Sequence, residues 1–195
     1  MTKRIFTYLI VLILILSCST YRNSLIANGN KNQAIRNTVI DFSNSSRIYK
    51  KHRVFEVEFI DTLYRKELEK IDERNYQCIN GKPYKNIFAI IISAMTNKLV
   101  YSISDSLKYL PNRYIEQDGK LFFWKDDNYE LDKETIEIFK KHEVVREGGL
   151  SPEFVIDESK KAVDYFICRS DFTKYKKVTT STAIGYFDAP KVNCE

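Results

Sequence analysis

The chain opens on an apolar block and then settles into patterns of period two and period 3.6. Residues 5–16 (IFTYLIVLILIL) are almost wholly apolar and follow Lys3 and Arg4. A spanning helix needs roughly 20 apolar residues, so this block is too short to cross a bilayer. Its length and positive flank are those of the core of a signal peptide. Residues 19–31 (STYRNSLIANGNK) are rich in Ser and Asn and lack periodicity, which predicts a tether. Ile35, Val39 and Phe42 then recur at i, i+4 and i+7, the spacing of one helix face over 33–42, and the run 43–46 (SNSS) breaks it.

Phe55, Val57 and Phe59 alternate with Glu56 and Glu58, as in a half-buried strand. Residues 61–74 fit a helix or an extended arm, and the spacing of Leu63, Leu68 and Ile71 slightly favours helix. Asn80 and Gly81 are a two-residue turn signal. The apolar, β-branched run 87–93 (IFAIIIS) predicts a central strand. Thr96, Asn97 and Lys98 turn it back into an alternating run over 99–104. Residues 114–124 predict a hairpin about Asp118 and Gly119. Successive strand residues face opposite sides, so Leu121 and Phe123 share one face, and Phe122 and Trp124 the other. Asp132 is a predicted N-cap for a helix ending near His142, with Leu131 and Ile136 as a hydrophobic staple. Its acidic residues lie early and its basic residues late, as the helix dipole favours. Gly148, Gly149 and Pro152 break the chain again. Short strands follow over 154–157, 162–168, 174–178 and 183–187. The order predicts one α+β domain, residues 32–195, with a mainly antiparallel sheet, one helix before it and one inserted helix.

Composition supports a folded core. Of 195 residues 44% are hydrophobic and 13% aromatic, while Gly (6) and Pro (4) are sparse, which excludes collagen-like and disordered chains.

The end of the apolar block carries the most specific motif. Ile15 and Leu16 are followed by Ser17 and Cys18, an aliphatic pair, a small residue and a cysteine. This resembles the lipobox of bacterial lipoproteins. The resemblance covers about the first 20 residues and does not extend to the rest of the chain. It implies that residues 1–17 are a signal peptide removed in the mature protein. It also implies that Cys18 becomes the lipidated N-terminal residue, anchoring the protein in a membrane. Two or more acyl chains make such an anchor stable. Ser19, rather than an aspartate, follows the cysteine, which in enteric-type sorting implies the outer membrane. Loss of Lys3 and Arg4 lowers the formal charge from +5 to +3. That modest excess, and export to the envelope, argue against nucleic acid as a partner.

The chemistry the chain can carry is limited. It has no GxSxG, HExxH, GxGxxG or phosphate-loop motif. Of its two histidines, His52 lies among Lys50, Lys51 and Arg53, where its protonation is disfavoured. His142 ends a helix. Both read as solvated surface residues. A metal site needs three or four ligands, which two scattered histidines do not provide. Neither a metal nor an organic cofactor is expected. The acidic run 126–132 lacks the glycine and terminal glutamate of an EF-hand loop. It reads as a polar turn leading into the N-cap, with a weak calcium site as the lesser reading. Glu56 and Glu58 share a strand face, as paired carboxylates of a hydrolase would, but they alternate with core positions and so face solvent.

With Cys18 lipidated, Cys78, Cys168 and Cys194 remain in an oxidising compartment. Pairing Cys168 with Cys194 would tie down the C-terminus and is the favoured arrangement. Cys78 with either of them, or no bridge, are the alternatives. Two groups are candidate interface residues. Lys174, Tyr175, Lys176 and Lys177 form a basic patch or, more in keeping with their pattern, a solvated edge strand. Phe122 and Trp124 belong either to a partner surface or to the core under a helix, and the core is favoured.

Together these features predict a lipid-anchored protein of the bacterial envelope, expected at the outer membrane. It is more in keeping with a non-catalytic binding or scaffold module than with an enzyme, and its partner is a protein or a glycan. One alternative is a periplasmic immunity or inhibitor protein against a toxin or lytic enzyme. A second is a hydrolase without a recognisable motif.

Overall fold

Strand β5 (Ile87–Ala94) is buried along nearly its whole length because both of its faces are covered. The computed structural model describes residues 21–23, 30–71, 74, 76–95, 100–104, 107–147, 161–180 and 189–194. In chain order the elements are β1 (Tyr21–Asn23), α1 (Asn30–Ser45), α2 (Arg47–Lys51), β2 (Val54–Ile60), β3 (Tyr64–Lys70), β4 (Tyr76–Pro83) and β5. After these come β6 (Tyr101–Ser102), a 3₁₀ turn (Leu107–Tyr109), β7 (Arg113–Gln117), β8 (Lys120–Trp124), α3 (Lys133–Lys141), β9 (Val145–Arg146), β10 (Ala162–Cys168) and β11 (Tyr175–Thr180). The main sheet has the order β1-β7-β8-β2-β5-β10-β11. Every pairing in it is antiparallel except β2 with β8. This is a mainly antiparallel α+β domain, as the order of elements predicts.

One face of the sheet is covered by α1. Ala34, Ile35, Val39 and Phe42 form its buried stripe and pack on Phe55, Phe122, Ile90 and Tyr165. The other face is covered at one side by α3, whose Ile138 and Phe139 meet Tyr114, Leu121 and Phe123. A third cluster joins Leu63, Ile87 and Ala89 to the C-terminal segment at Ala189 and Val192. Phe122 and Trp124 lie in the α1 cluster and Leu121 and Phe123 in the α3 cluster, as strand alternation predicts. The turn that fixes this register has positive φ at Asp118 (53°) and Gly119 (72°), as a two-residue hairpin requires. Asp132 caps α3, its side chain accepting from Thr135 N at 2.7 Å.

Several expectations are corrected. α1 runs past the expected break at 43–46, and the hydroxyls of Ser43 and Ser45 are accommodated in it by bonding back to the carbonyls of Ile40 and Asp41. Ser46 alone breaks the helix and caps α2, accepting from Ile48 N at 3.1 Å. Residues 64–70 are not helical. They pair with β4 in a two-stranded sheet, and tertiary pairing overrides the weak apolar spacing. Asn80 and Gly81 are not a turn but lie inside β4. Gly81 and Lys82 together face Arg65 alone, a bulge in β4, and a Cβ at Gly81 would require only the flexible Glu67 side chain to move.

Part of the expected tether is strand: Tyr21–Asn23 pair with Gln117, Glu116 and Ile115 of β7. The turn at 96–98, the breaks at Gly148, Gly149 and Pro152, and the strands expected at 154–157 and 183–187 lie outside the described residues, as do the signal peptide and Cys18. Among the described residues no helix is long and apolar enough to cross a membrane.

Candidate functional site

Phe122 and Trp124, candidates for an interface, are interior residues. Phe122 stacks on Phe55 at 4.8 Å between ring centroids, and Trp124 is only 3% exposed. The basic group on the edge strand β11 is divided by the alternation of the strand. Tyr175 and Lys177 point to the α1 side, where the Tyr175 hydroxyl donates to Asp41 Oδ1 and Lys177 Nζ donates to Asp41 Oδ2, both at 2.8 Å. Lys176 is exposed, and Lys174 lies in the turn closed by its N–H on Asp171 O at 3.0 Å. These four residues therefore do not form one patch. Two of them clasp a helix to the sheet.

The Asp41 carboxylate also accepts from the Tyr165 hydroxyl at 2.9 Å. Burial pushes the Asp41 carboxyl up, but the hydrogen bonds from Lys177, Tyr175 and Tyr165 outweigh it and hold its pKa below the ordinary value. On the opposite face of the sheet, Glu116 meets Lys141 Nζ at 2.5 Å and His142 Nε2 at 2.9 Å. The His142 side chain is only 9% exposed, so it is a buried partner of Glu116 and not a solvated residue. The Glu116 carboxyl is raised by burial and lowered more by these two partners. Burial, with Lys120, Lys161 and Lys51 nearby, depresses His52. Both carboxylate clusters bind structural elements together.

A cleft of about 340 Å³ lies between the end of β2 and the turn after β8. Asn112 builds that turn. Its amide accepts from Asp126 N at 2.8 Å and donates to Asp126 O at 2.6 Å and Tyr129 O at 2.5 Å. The acidic run is thus a clamped turn. Asp126, buried within it, is matched by Lys31 at 3.7 Å, and Lys31 Nζ also sits 4.9 Å from the centre of the Phe59 ring. Trp124 Nε1 is buried and unpartnered at this cleft. The buried charge here is already compensated from within the fold.

The larger and chemically more distinctive concavity is a groove of about 1370 Å³ at the far end of the sheet. It lies between the β4–β5 connection and the C-terminal segment. Arg65, Lys82, Lys85 and Lys191 line it, all exposed. None of the four has a carboxylate partner among the described residues, and no acidic residue stands among those lining the groove. The floor is apolar, formed by Ile87, Ala189 and Val192. Arg65 stacks over Tyr84 at 5.4 Å.

The groove exists because the C-terminus is held in place. Cys168 and Cys194 form a disulfide with Cα atoms 5.5 Å apart. Arg169 N bonds Asn86 O at 2.9 Å, and the Arg169 guanidinium pairs with Asp61 at 3.0 Å and also bonds the Asp61 carbonyl. Such a site offers long cationic side chains around an apolar floor, the arrangement that receives an anionic ligand with an apolar body. Among the described residues that line it there is no Ser, Thr, His, Asp or Glu.

Sequence reasoning missed these four cations. They come from three separate stretches, and the local signal was the run Lys82, Pro83, Tyr84 and Lys85. Among the described residues no group of three or more His, Cys, Asp or Glu side chains is placed to hold a metal ion. No protein family, no curated protein and no solved structure matches the chain.

Proposed function

We propose that this protein is a non-catalytic binding module of the bacterial envelope, held to the outer membrane by lipid on Cys18, and that its basic groove receives an anionic envelope ligand. The observation that carries the binding reading is the groove itself. Four cations without carboxylate partners among the described residues surround an apolar floor, at a place fixed by a disulfide. A concave surface lined by one sign of charge attracts ligands of the opposite sign. The lipobox-like sequence at 15–18 supports the anchor.

The test is capture by the purified mature protein. Acidic envelope glycans should be retained and neutral glycans should not. Retention should fall steeply with salt and drop at least tenfold in a Lys82→Glu, Lys85→Glu variant. One stoichiometric toxin-like protein recovered instead would favour the immunity reading. Equal retention of neutral and acidic glycans, indifferent to the variant, would remove the groove from consideration. For the anchor, mass spectrometry of the native protein should find a diacylated Cys18 as the first residue. Cys18→Ser should abolish lipid incorporation and release the protein from the membrane.

A further inference from the structure

The two ends of the main sheet differ in what they carry. The basic groove occupies one end, where β5 begins at Ile87 opposite Cys168. At the other end β1 begins at Tyr21, paired with Gln117, and Gln117 pairs across the hairpin with Lys120. Leu121, the next residue, faces Val54 at the start of β2, and its N–H bonds Arg53 O at 2.9 Å. Ala162, which opens β10, faces Ser93 near the end of β5, and Lys161 O accepts from Ala94 N at 3.3 Å. Topology therefore gathers Lys51, Arg53, Lys120 and Lys161 at the end where β1 starts, with Lys50 beside them on α2.

Their mutual proximity shows in the electrostatics. Lys120, Lys161 and Lys51 all act on His52, and Arg53 acts on Lys120. Lys120, half-buried, donates from Nζ to the Tyr49 carbonyl, and its Nζ sits 3.9 Å from the centre of the Tyr49 ring, which holds the ammonium beside α2. Lys50, Lys51, Arg53 and Lys161 are exposed, and none of the five has a carboxylate partner among the described residues. Asp118, in the turn, offsets part of this charge.

The length of chain before β1 gives this end its significance. Cys18 precedes Tyr21 by three residues, which span at most about 11 Å when extended. A lipid on Cys18 thus holds the start of β1 within a headgroup layer's reach of the bilayer. We infer that the end of the sheet carrying Lys50, Lys51, Arg53, Lys120 and Lys161 lies on the surface of a bilayer containing acidic phospholipid, with the groove directed away from it. This rests on the proposed lipidation of Cys18. An acyl anchor and a basic surface reinforce each other, and each basic side chain near an acidic surface adds roughly fivefold to partitioning.

The test is amine-reactive footprinting of the native lipidated protein in phosphatidylcholine–phosphatidylglycerol vesicles, compared with the same protein in neutral detergent. Labelling of Lys50, Lys51, Lys120 and Lys161 should slow at least fivefold on vesicles, while Lys82, Lys85 and Lys191 label at unchanged rates. A Lys51→Glu, Lys161→Glu variant with native circular dichroism and intact Cys18 lipid should lose the protection at Lys50 and Lys120. Equal labelling of both sets on vesicles would overturn the inference. If the native protein proves to carry no lipid, the lipoprotein reading fails by itself. The basic end is then judged by cosedimentation of that protein: binding to phosphatidylglycerol vesicles supports it, and no binding above phosphatidylcholine vesicles overturns it.

Discussion

The Tyr165 hydroxyl, in β10, donates to Asp41 Oδ2, in α1, at 2.9 Å across 124 residues of sequence. Tyr165 is fully buried, and burial first, then the Asp41 carboxylate, pushes its pKa upward, so it stays protonated as a donor. Tyr175 and Lys177 of the edge strand reach the same carboxylate. One acidic side chain thus fixes a helix onto two strands. Tyr165→Phe should cost about 1–3 kcal/mol of stability in denaturant titration, the range for leaving a charged acceptor short of a buried partner. Asp41→Ala should cost more, because three donors lose their acceptor. A Tyr165→Phe variant as stable as the parent would show that Tyr175 and Lys177 hold α1 without it.

Acid should loosen the fold through two carboxyls. Asp41 and Glu116 both have folded pKa values below their ordinary values of 3.8 and 4.5, with burial opposing and donor contacts prevailing. A depressed carboxyl contributes stability that is fully present above its unfolded pKa and lost as pH falls through the folded one. The contribution of these two carboxyls should therefore be level above about pH 5 and decline progressively through and below pH 4.5, adding to the decline below about pH 6.5 that the depressed His52 contributes. Melting temperatures measured against pH should show this decline. An Asp41→Asn, Glu116→Gln variant should be less stable at pH 7, with a flatter acid limb.

Trp124 is the single tryptophan, so its fluorescence reports one site. At 3% exposure it should emit at short wavelength and resist quenching by acrylamide. Trp124→Ala should cost roughly 3–5 kcal/mol, as large-to-small changes of buried aromatics do. Trp124→Phe should cost less, since Nε1 has no hydrogen bond to lose. Unchanged melting in Trp124→Ala would contradict its place under α1.

Reducing the disulfide should act on both stability and binding. With Cys168 and Cys194 separated by 26 positions, loop-closure entropy gives about 3.5 kcal/mol. Cys194→Ser should lower the melting temperature and weaken retention of acidic glycan, because the part of the floor at Ala189 and Val192 is no longer held. Weakened stability with undiminished retention would place the ligand elsewhere.

Where chemistry is local, the sequence decided the structure by itself. Asp118 and Gly119 supply the positive φ of the hairpin, and that turn fixes which of Leu121, Phe122, Phe123 and Trp124 face each way. Asp132 caps α3 because an N-cap needs only its own first turn, and the run 87–93 is central because an unbroken apolar strand must be covered on both faces. The sequence also limited the chemistry, with two histidines and no catalytic motif. Tertiary structure decided the rest. Residues 64–70 became a strand because β4 offers backbone partners that a helix of that composition would not find. Tyr21–Asn23 became a strand for the same reason, against the edge of β7. His142 is buried because Glu116 waits on another element, and the groove gathers Arg65, Lys82, Lys85 and Lys191 because a disulfide returns the C-terminus to the β4–β5 connection. Periodicity records which way a residue points along its own element, but contacts between elements far apart in sequence depend on how the sheet brings them together.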